Sequence, residues 1–166
     1  MPREEIRKRL RFYKCNCTPC HKTGYFHMRL PDPANDFYII SPLDLNNPSE
    51  MRNYMCNDHI LHWHFCPKCG MRCFISEGSW KVDEVDLYNT GEKTRVLRLD
   101  MDAIREGQKQ GYLSVNALTL DKGPEENGGK TIDLREIKDK GWLLYIDCKD
   151  LVGEPRVDYP HEGGTW

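Results

Sequence analysis

Hydrophobic and polar positions alternate through much of the chain, and this pattern predicts β-strands. In residues 60–65, three apolar side chains alternate with Ile60, His62 and His64, as expected for a strand with two different faces. The chain then turns at Cys66, and residues 72–75 form the predicted return strand of a hairpin. Other short runs rich in β-branched and aromatic residues predict strands at 37–40, 95–99, 113–120 and 142–147.

Three short segments have helical signals instead. Residues 2–12 begin with Pro2 and place Ile6 and Leu10 on one face, while residues 101–110 and 134–140 each follow an aspartate and precede a glycine. Residues 121–130 are rich in glycine and predict a loop. The predicted fold is therefore a mainly β domain of antiparallel sheets with a few short helices. It spans residues 1–151, and residues 152–166 form a C-terminal tail.

Length and charge narrow the function classes. The chain has 166 residues and a net charge of −2, so one domain with its own core is expected and no basic field indicates nucleic acid. The basic residues at 3–14 are broken by Glu4 and Glu5 and indicate a solvated helix face. Neither a secretory signal nor an apolar run of ~18 residues is present, so we expect no membrane association and a cytoplasmic, reducing environment. The oligomeric state stays open.

The cysteines change this picture most. Five of the eight fall in two clusters, Cys15-x-Cys17-x-x-Cys20 and Cys66-x-x-Cys69. A Cys-x-x-Cys turn can direct two thiolates at one ion, and sulfur ligands in a reducing compartment favour zinc. We therefore expect zinc as the cofactor, with one well-defined site and a second that is possible but incomplete.

Two ligand arrangements fit the spacing. In the first, Cys17 and Cys20 join Cys66 and Cys69 in one closed tetrahedral site, which would be structural. In the second, Cys15, Cys17 and Cys20 form a three-thiolate site whose fourth position is open to water or to an external thiol. Cys15 distinguishes them, because the closed site does not need it.

Four motifs together resemble the glutathione-dependent formaldehyde-activating enzyme family, which also contains centromere protein V. They are Cys-Asn-Cys-Thr-Pro-Cys-His-Lys-Thr-Gly at 15–24, His-Phe-Cys-Pro-Lys-Cys-Gly at 64–70, Val-Asn-Ala-Leu-Thr-Leu-Asp at 115–121, and the closing segment 159–166, which is similar to that of fungal members. The resemblance runs from about residue 12 to the C-terminus. It implies a zinc-bearing β-tent fold, a catalytic zinc at Cys15, Cys17 and Cys20, and a structural zinc that uses Cys66 and Cys69. The implied activity is that of a carbon–sulfur lyase, which joins a small-molecule thiol such as glutathione to formaldehyde or a related carbonyl.

The sequence departs from the family pattern at one point. Family members have a further Cys-x-Cys on an N-terminal strand that completes the structural zinc site, whereas residues 1–14 contain no cysteine. The Cys66–Cys69 pair is then either unfilled or completed by other residues, for which Cys56, Cys73 and the histidines at 59, 62 and 64 are available. Cys148 is expected to be a core thiol. The alternatives to an enzyme are a non-catalytic zinc-stabilised binding module and an inactive, truncated family member.

Overall fold

The computed structural model describes residues 11–100, 102–103, 111–121, 133–151 and 153–165. The chain divides into two compact units, one made of Met1–Arg29 with Val115–Trp166 and the other of Leu30–Ser114. We call them unit 1 and unit 2. The predicted fold class is confirmed, because strands outnumber helices in the described residues and the helices whose bounds are described there are short. The single domain at 1–151 with a tail at 152–166 stays a prediction.

Nine strands, two α-helices and one 3-10 turn are present in the described residues. In chain order they are β1 (Phe12–Cys15), α1 (Thr18–Thr23), β2 (Phe26–Met28), β3 (Arg52–Met55), β4 (His62–Phe65), β5 (Arg72–Glu77), β6 (Trp80–Val85), β7 (Thr94–Leu99), β8 (Tyr112–Asn116), the 3-10 turn (Ala117–Thr119), α2 (Arg135–Asp139) and β9 (Leu143–Ile146).

Unit 1 is organised around β1. This strand pairs antiparallel with β2 on one side and parallel with β9 on the other. β2 in turn pairs antiparallel with the last residues of β8. Among the described residues, one core cluster beside these strands is formed by Phe26, Ala117, Ile137, Leu143 and Tyr145. The segment after β9 returns to the same sheet, because Arg156 and Tyr145 exchange two backbone hydrogen bonds of 2.7 and 3.0 Å.

Unit 2 contains two sheets. In the first, β3, β4, β5 and the first residues of β8 are neighbours in that order, and β4 with β5 forms the predicted hairpin. The second is a hairpin of β6 and β7. In the core of unit 2, the side chains of Ile75, Val96, Leu99 and Leu113 are almost completely buried.

Most predicted strands are confirmed with shifted ends, but several expectations are wrong. The strand at 37–40 is a single bridge between Ile39 and Leu97, because Phe37 packs against the ring of Phe74, 5.4 Å away, instead of continuing a ladder. The strand at 113–120 ends at Asn116, where the chain enters the 3-10 turn. The helix at 2–12 does not extend to residue 12, which begins β1.

Other expectations lie outside the described residues. These are residues 2–10 of the first predicted helix, residues 101 and 104–110 of the second, and residues 122–130 of the predicted loop. The third predicted helix is confirmed as α2, and Gly141 follows it with a φ of 66°. In the described part of the chain, no helix combines the length and apolar character needed to cross a membrane.

Candidate metal centre

The end of β1 and the start of α1 bring three cysteines together in unit 1. Cys15 is the last residue of β1, Cys17 is the N-cap of α1, and Cys20 lies in the first turn of that helix. Their sulfur atoms all lie within 4.8 Å of one another. We call this group the cysteine triad. The second arrangement considered above is thus the one whose three thiols lie side by side.

Local sequence explains this geometry. Cys17 has extended backbone angles, so the chain turns sharply from strand into helix, and Pro19 suits the first turn of that helix. Gly24 ends the helix with a φ of 62°, which is the left-handed conformation that glycine adopts at least cost. A helix of one and a half turns therefore separates β1 from β2, and it places Cys20 beside the end of β1.

The triad fits a tetrahedral metal ion such as zinc. Sulfur atoms at ~2.3 Å from one zinc ion are ~3.8 Å apart in a tetrahedron. Because the three sulfurs already lie within 4.8 Å, each pair has to approach by about 1 Å at most. Cys15 and Cys20 are 7% and 3% exposed, whereas Cys17 is half-buried, so the triad is accessible on the Cys17 side.

The three thiols polarise one another. Hydrogen bonds from Cys15 and Cys20 lower the pKa of Cys17. The pKa of Cys15 is raised by hydrogen bonds to Cys148, Cys17 and Cys20 and by burial. For Cys20, the hydrogen bond with Cys15 lowers the pKa, but the hydrogen bond with Cys17, burial and the Cys17 charge together raise it. The shared hydrogen bonds therefore favour the thiolate form of Cys17 and disfavour it for Cys15 and Cys20.

His27 supports the triad from β2. Its Nε2 atom lies 3.1 Å from Sγ of Cys20, and its ring stacks on Tyr13 at a centroid distance of 4.2 Å. Burial lowers the pKa of His27 to about 3, so the ring is neutral at neutral pH. Which of the two atoms donates depends on the state of Cys20. If Cys20 were a metal-bound thiolate, the neutral ring would donate its Nε2 hydrogen and orient the sulfur, as outer-sphere partners do in metal sites.

Asn16 connects the triad to the loop after β9. Its side chain is buried, its Nδ2 donates to Asp147 Oδ1 at 2.9 Å and to the Glu162 carbonyl at 3.3 Å, and its Oδ1 accepts from the backbone N–H groups of Cys148 and Lys149. The Asn16 amide therefore holds the loop after β9 and the segment at Glu162 beside the turn from Cys15 to Cys17.

Cys148 lies in this loop, two residues after the end of β9. The Cys15 thiol lowers the pKa of Cys148, so the two side chains lie near each other, although Cys148 is exposed overall. The expectation that Cys148 is a core thiol is therefore wrong: the residue lies past the end of β9, beyond the apolar core.

The second predicted pair forms a tight turn in unit 2. Cys66 and Cys69 lie between β4 and β5, where the Gly70 N–H donates to the Cys66 carbonyl at 2.9 Å and Gly70 has a φ of 74°. Backbone N–H groups of Cys69 and Lys68, followed by the Cys69 thiol, lower the pKa of Cys66. Among the residues that the structure describes, this pair does not join a third ligand in a metal-sized cluster. What completes the pair stays open.

Three basic side chains lie near the triad in the sequence but differ in exposure. His21 and Lys22 are exposed on α1, while Lys14 on β1 is half-buried with its ammonium 4.9 Å from the Phe26 ring centre. Burial lowers the pKa of Lys14, and the Cys20 charge opposes that effect. The sequence analysis missed His27, Asn16 and the contact of Cys148; strand pairing, which places His27 opposite Tyr13, was the signal that could have revealed the first.

No protein-family model, curated protein or solved structure matches the chain. The class of protein is therefore defined by the fold and the site alone. The chain is a mainly β protein with a cysteine cluster that could hold a metal ion.

Proposed function

We propose that this protein binds zinc at Cys15, Cys17 and Cys20 and acts on small-molecule thiols as a carbon–sulfur lyase-like enzyme. The observation that supports the proposal is the convergence of three thiols within 4.8 Å. Thiolate ligands favour zinc among the common divalent ions available to proteins. The resemblance of the motifs at 15–24, 64–70 and 115–121 to the glutathione-dependent formaldehyde-activating family supplies the substrate class, a glutathione-like thiol and formaldehyde or a related small carbonyl.

In this proposal each residue has a distinct task. Cys15, Cys17 and Cys20 hold the ion, and a bound zinc ion would stabilise the thiolate form of an incoming thiol. With zinc bound, Cys20 would be a thiolate, and the neutral His27 ring would donate its Nε2 hydrogen to that sulfur and keep it oriented. Because Cys15 and Cys20 are buried and Cys17 is half-buried, the substrate approaches from the Cys17 side.

Charge beside the triad suits an anionic thiol. Lys14 interacts electrostatically with Cys20, and the exposed Lys22 extends from α1, which also carries Cys20. Ammonium groups bind carboxylates through charge-assisted hydrogen bonds. We therefore propose that the carboxylates of glutathione bind near Lys14 and Lys22. The Lys22→Ala variant should bind glutathione more weakly but bind the uncharged 2-mercaptoethanol as before; equal affinity for glutathione in both proteins would contradict this step.

Zinc content tests the metal part of the proposal. Elemental analysis should find that Cys15→Ser loses zinc, whereas Cys66→Ser retains the zinc of the triad. A Cys66→Ser protein without zinc, beside a Cys15→Ser protein with its zinc intact, would indicate a closed structural site shared by the two clusters. Cys73→Ser serves as the matched cysteine control.

Catalysis is tested separately. Exchange NMR on mixtures of glutathione and formaldehyde measures how fast S-hydroxymethylglutathione forms and breaks down. We expect the zinc-loaded protein to accelerate this exchange and Cys17→Ser to abolish the acceleration. If zinc binds at the triad but the exchange proceeds at the rate of the buffer control, the protein does not act on this substrate pair.

The alternative is a non-catalytic, zinc-stabilised module. The contact between Cys148 and Cys15 favours it, because a fourth sulfur would fill the position that an external thiol needs. A zinc-bound protein that shows no response to glutathione would support this alternative.

A further inference from the structure

We propose that Cys148 is the fourth sulfur ligand of the metal ion bound by the cysteine triad. The inference rests on the proposed function, since it requires that the triad binds a metal. It assigns a ligand that is 128 residues away from the Cys-x-Cys-x-x-Cys motif.

Strand pairing brings Cys148 to the triad. β9 runs parallel to β1, and their register places Ile146 opposite Cys15, so Cys148 lies two residues beyond the partner of Cys15. The Cys15 thiol lowers the pKa of Cys148, which indicates that the two side chains are neighbours. Cys148 also interacts electrostatically with Cys17 and Cys20. The cluster whose sulfurs lie within 4.8 Å of one another contains Cys15, Cys17 and Cys20 but not Cys148, so the Cys148 sulfur has to move towards the other three when an ion binds.

Asn16 positions the backbone of Cys148. Its Oδ1 accepts the Cys148 N–H at 2.8 Å and the Lys149 N–H at 3.2 Å, and Asp147 Oδ1 accepts the N–H groups of Lys149 and Asp150. Asn16 lies between Cys15 and Cys17, so the side chain that positions the Cys148 backbone belongs to the same turn as two triad cysteines. A surface cysteine without a role in the site would not need a backbone hydrogen bond to a side chain of the site.

The fourth ligand has a consequence for thiol binding. Four thiolates fill a tetrahedral zinc site, so an external thiol can enter only if one of them leaves. Cys15 and Cys20 are buried, whereas Cys148 is on an exposed loop and is the sulfur most able to leave. In that exchange the incoming thiol transfers its proton to the released Cys148 thiolate, and no oxidant or reductant is required.

Cobalt(II) substitution gives the first test. The intensity of the sulfur-to-cobalt charge-transfer band scales with the number of cobalt–sulfur bonds. We expect Cys148→Ser to reduce this band to about three quarters of its original intensity, because one sulfur of four is lost. The comparison is made in a Cys66→Ser, Cys69→Ser background, so that this pair does not contribute. Cys73→Ser in the same background is the control and should leave the band unchanged.

Alkylation of the wild-type protein gives a second test that does not depend on variants. With chelator present, exposed Cys148 should react readily with iodoacetamide, and peptide mass spectrometry locates the label. Zinc should slow the labelling of Cys148 at least tenfold, measured against a cysteine-containing peptide added to the same mixture as the reference. Labelling of Cys148 that is equally fast with and without zinc would overturn the inference.

The two tests separate failure of this inference from failure of the proposed function. If the cobalt band is present, disappears in Cys17→Ser and is unchanged in Cys148→Ser, the triad binds metal and Cys148 is not a ligand. If no band forms in the Cys66→Ser, Cys69→Ser background and zinc protects no member of the triad from alkylation, both proposals fail. If the band falls and the Cys148→Ser protein responds to lower glutathione concentrations than its parent, both are supported.

Discussion

Asn16→Ala provides a sharp test of how the candidate site is held together. The Asn16 side chain is 5% exposed and makes three hydrogen bonds to backbone groups, of which the bond from Cys148 is the shortest at 2.8 Å. A typical hydrogen bond contributes about 0.5–1.5 kcal/mol to stability. Alanine should therefore lower the free energy of unfolding of the metal-free protein by about 2–4 kcal/mol. The bond to Asp147 is left out of this figure because that carboxylate remains accessible to water.

Urea unfolding followed by circular dichroism, with chelator present, measures this change. Asn16→Asp is the informative second variant, since it keeps the oxygen that accepts from Cys148 but replaces the donor to Asp147 with a second carboxylate oxygen; at neutral pH it should lose at least as much stability as alanine. Asn46→Ala, at an exposed asparagine, is the control and should change stability by less than about 0.5 kcal/mol.

The same variant has a readout at Cys148. Without the Asn16 amide, the loop after β9 loses the acceptor of two N–H groups, and Cys148 should become less well placed beside Cys15. Zinc should then protect Cys148 from alkylation less effectively. A stability loss below about 1 kcal/mol, together with unchanged protection, would show that the loop is held by other contacts and would refute the reasoning.

Three further predictions concern stability. Burial lowers the pKa of His64 to about 4. Between pH ~6.5 and 4, His64 is therefore protonated in the unfolded chain but still neutral in the folded protein. Its free energy of unfolding should fall by about 2 kcal/mol from pH 6.5 to 4.5, and His64→Gln should remove that part of the fall, as urea titrations at both pH values would show. Leu99→Ala, at a fully buried side chain, should cost about 2–5 kcal/mol in the same assay, against less than about 0.5 kcal/mol for Leu118→Ala at an exposed one. Gly24→Ala should cost about 1 kcal/mol because of its positive φ alone, as no atom lies within 4 Å of the added methyl group, and Gly24→Asn should cost less; equal losses would refute this.

Strand positions with a clear period were predicted well. Residues 60–65 and 72–75 became β4 and β5, because alternation over several residues records directly which side chains face the core. The sequence did not predict β2 or β3, for opposite reasons. β2 has only three residues, too few to show a period, and all four side chains of β3 are exposed, so the strand has no apolar face to reveal it.

The apolar run at 37–40 shows a different limit. Its composition favours a strand, but only Ile39 bridges to Leu97, while Phe37 packs into an aromatic group with Phe74 and Trp80. Tertiary packing of one ring thus overrode local preference, as is common for β-propensity.

The cysteine triad was predictable because its geometry is local. Cys15, Cys17 and Cys20 lie within six residues, so the turn from β1 into α1 is enough to bring their sulfurs within 4.8 Å. The same holds for the turn that contains Cys66 and Cys69. Residue type and spacing alone therefore determined where metal-binding chemistry is possible in this chain.

The surroundings of the triad depend on partners that are remote in the sequence. His27 reaches Cys20 because β2 folds back beside β1, and Cys148 reaches Cys15 because β9 joins β1 from 128 residues away. Strand register is set by the packing of whole faces, not by any local motif. Only the tertiary structure could therefore decide which side chains orient the three thiols and whether a fourth sulfur stands beside them.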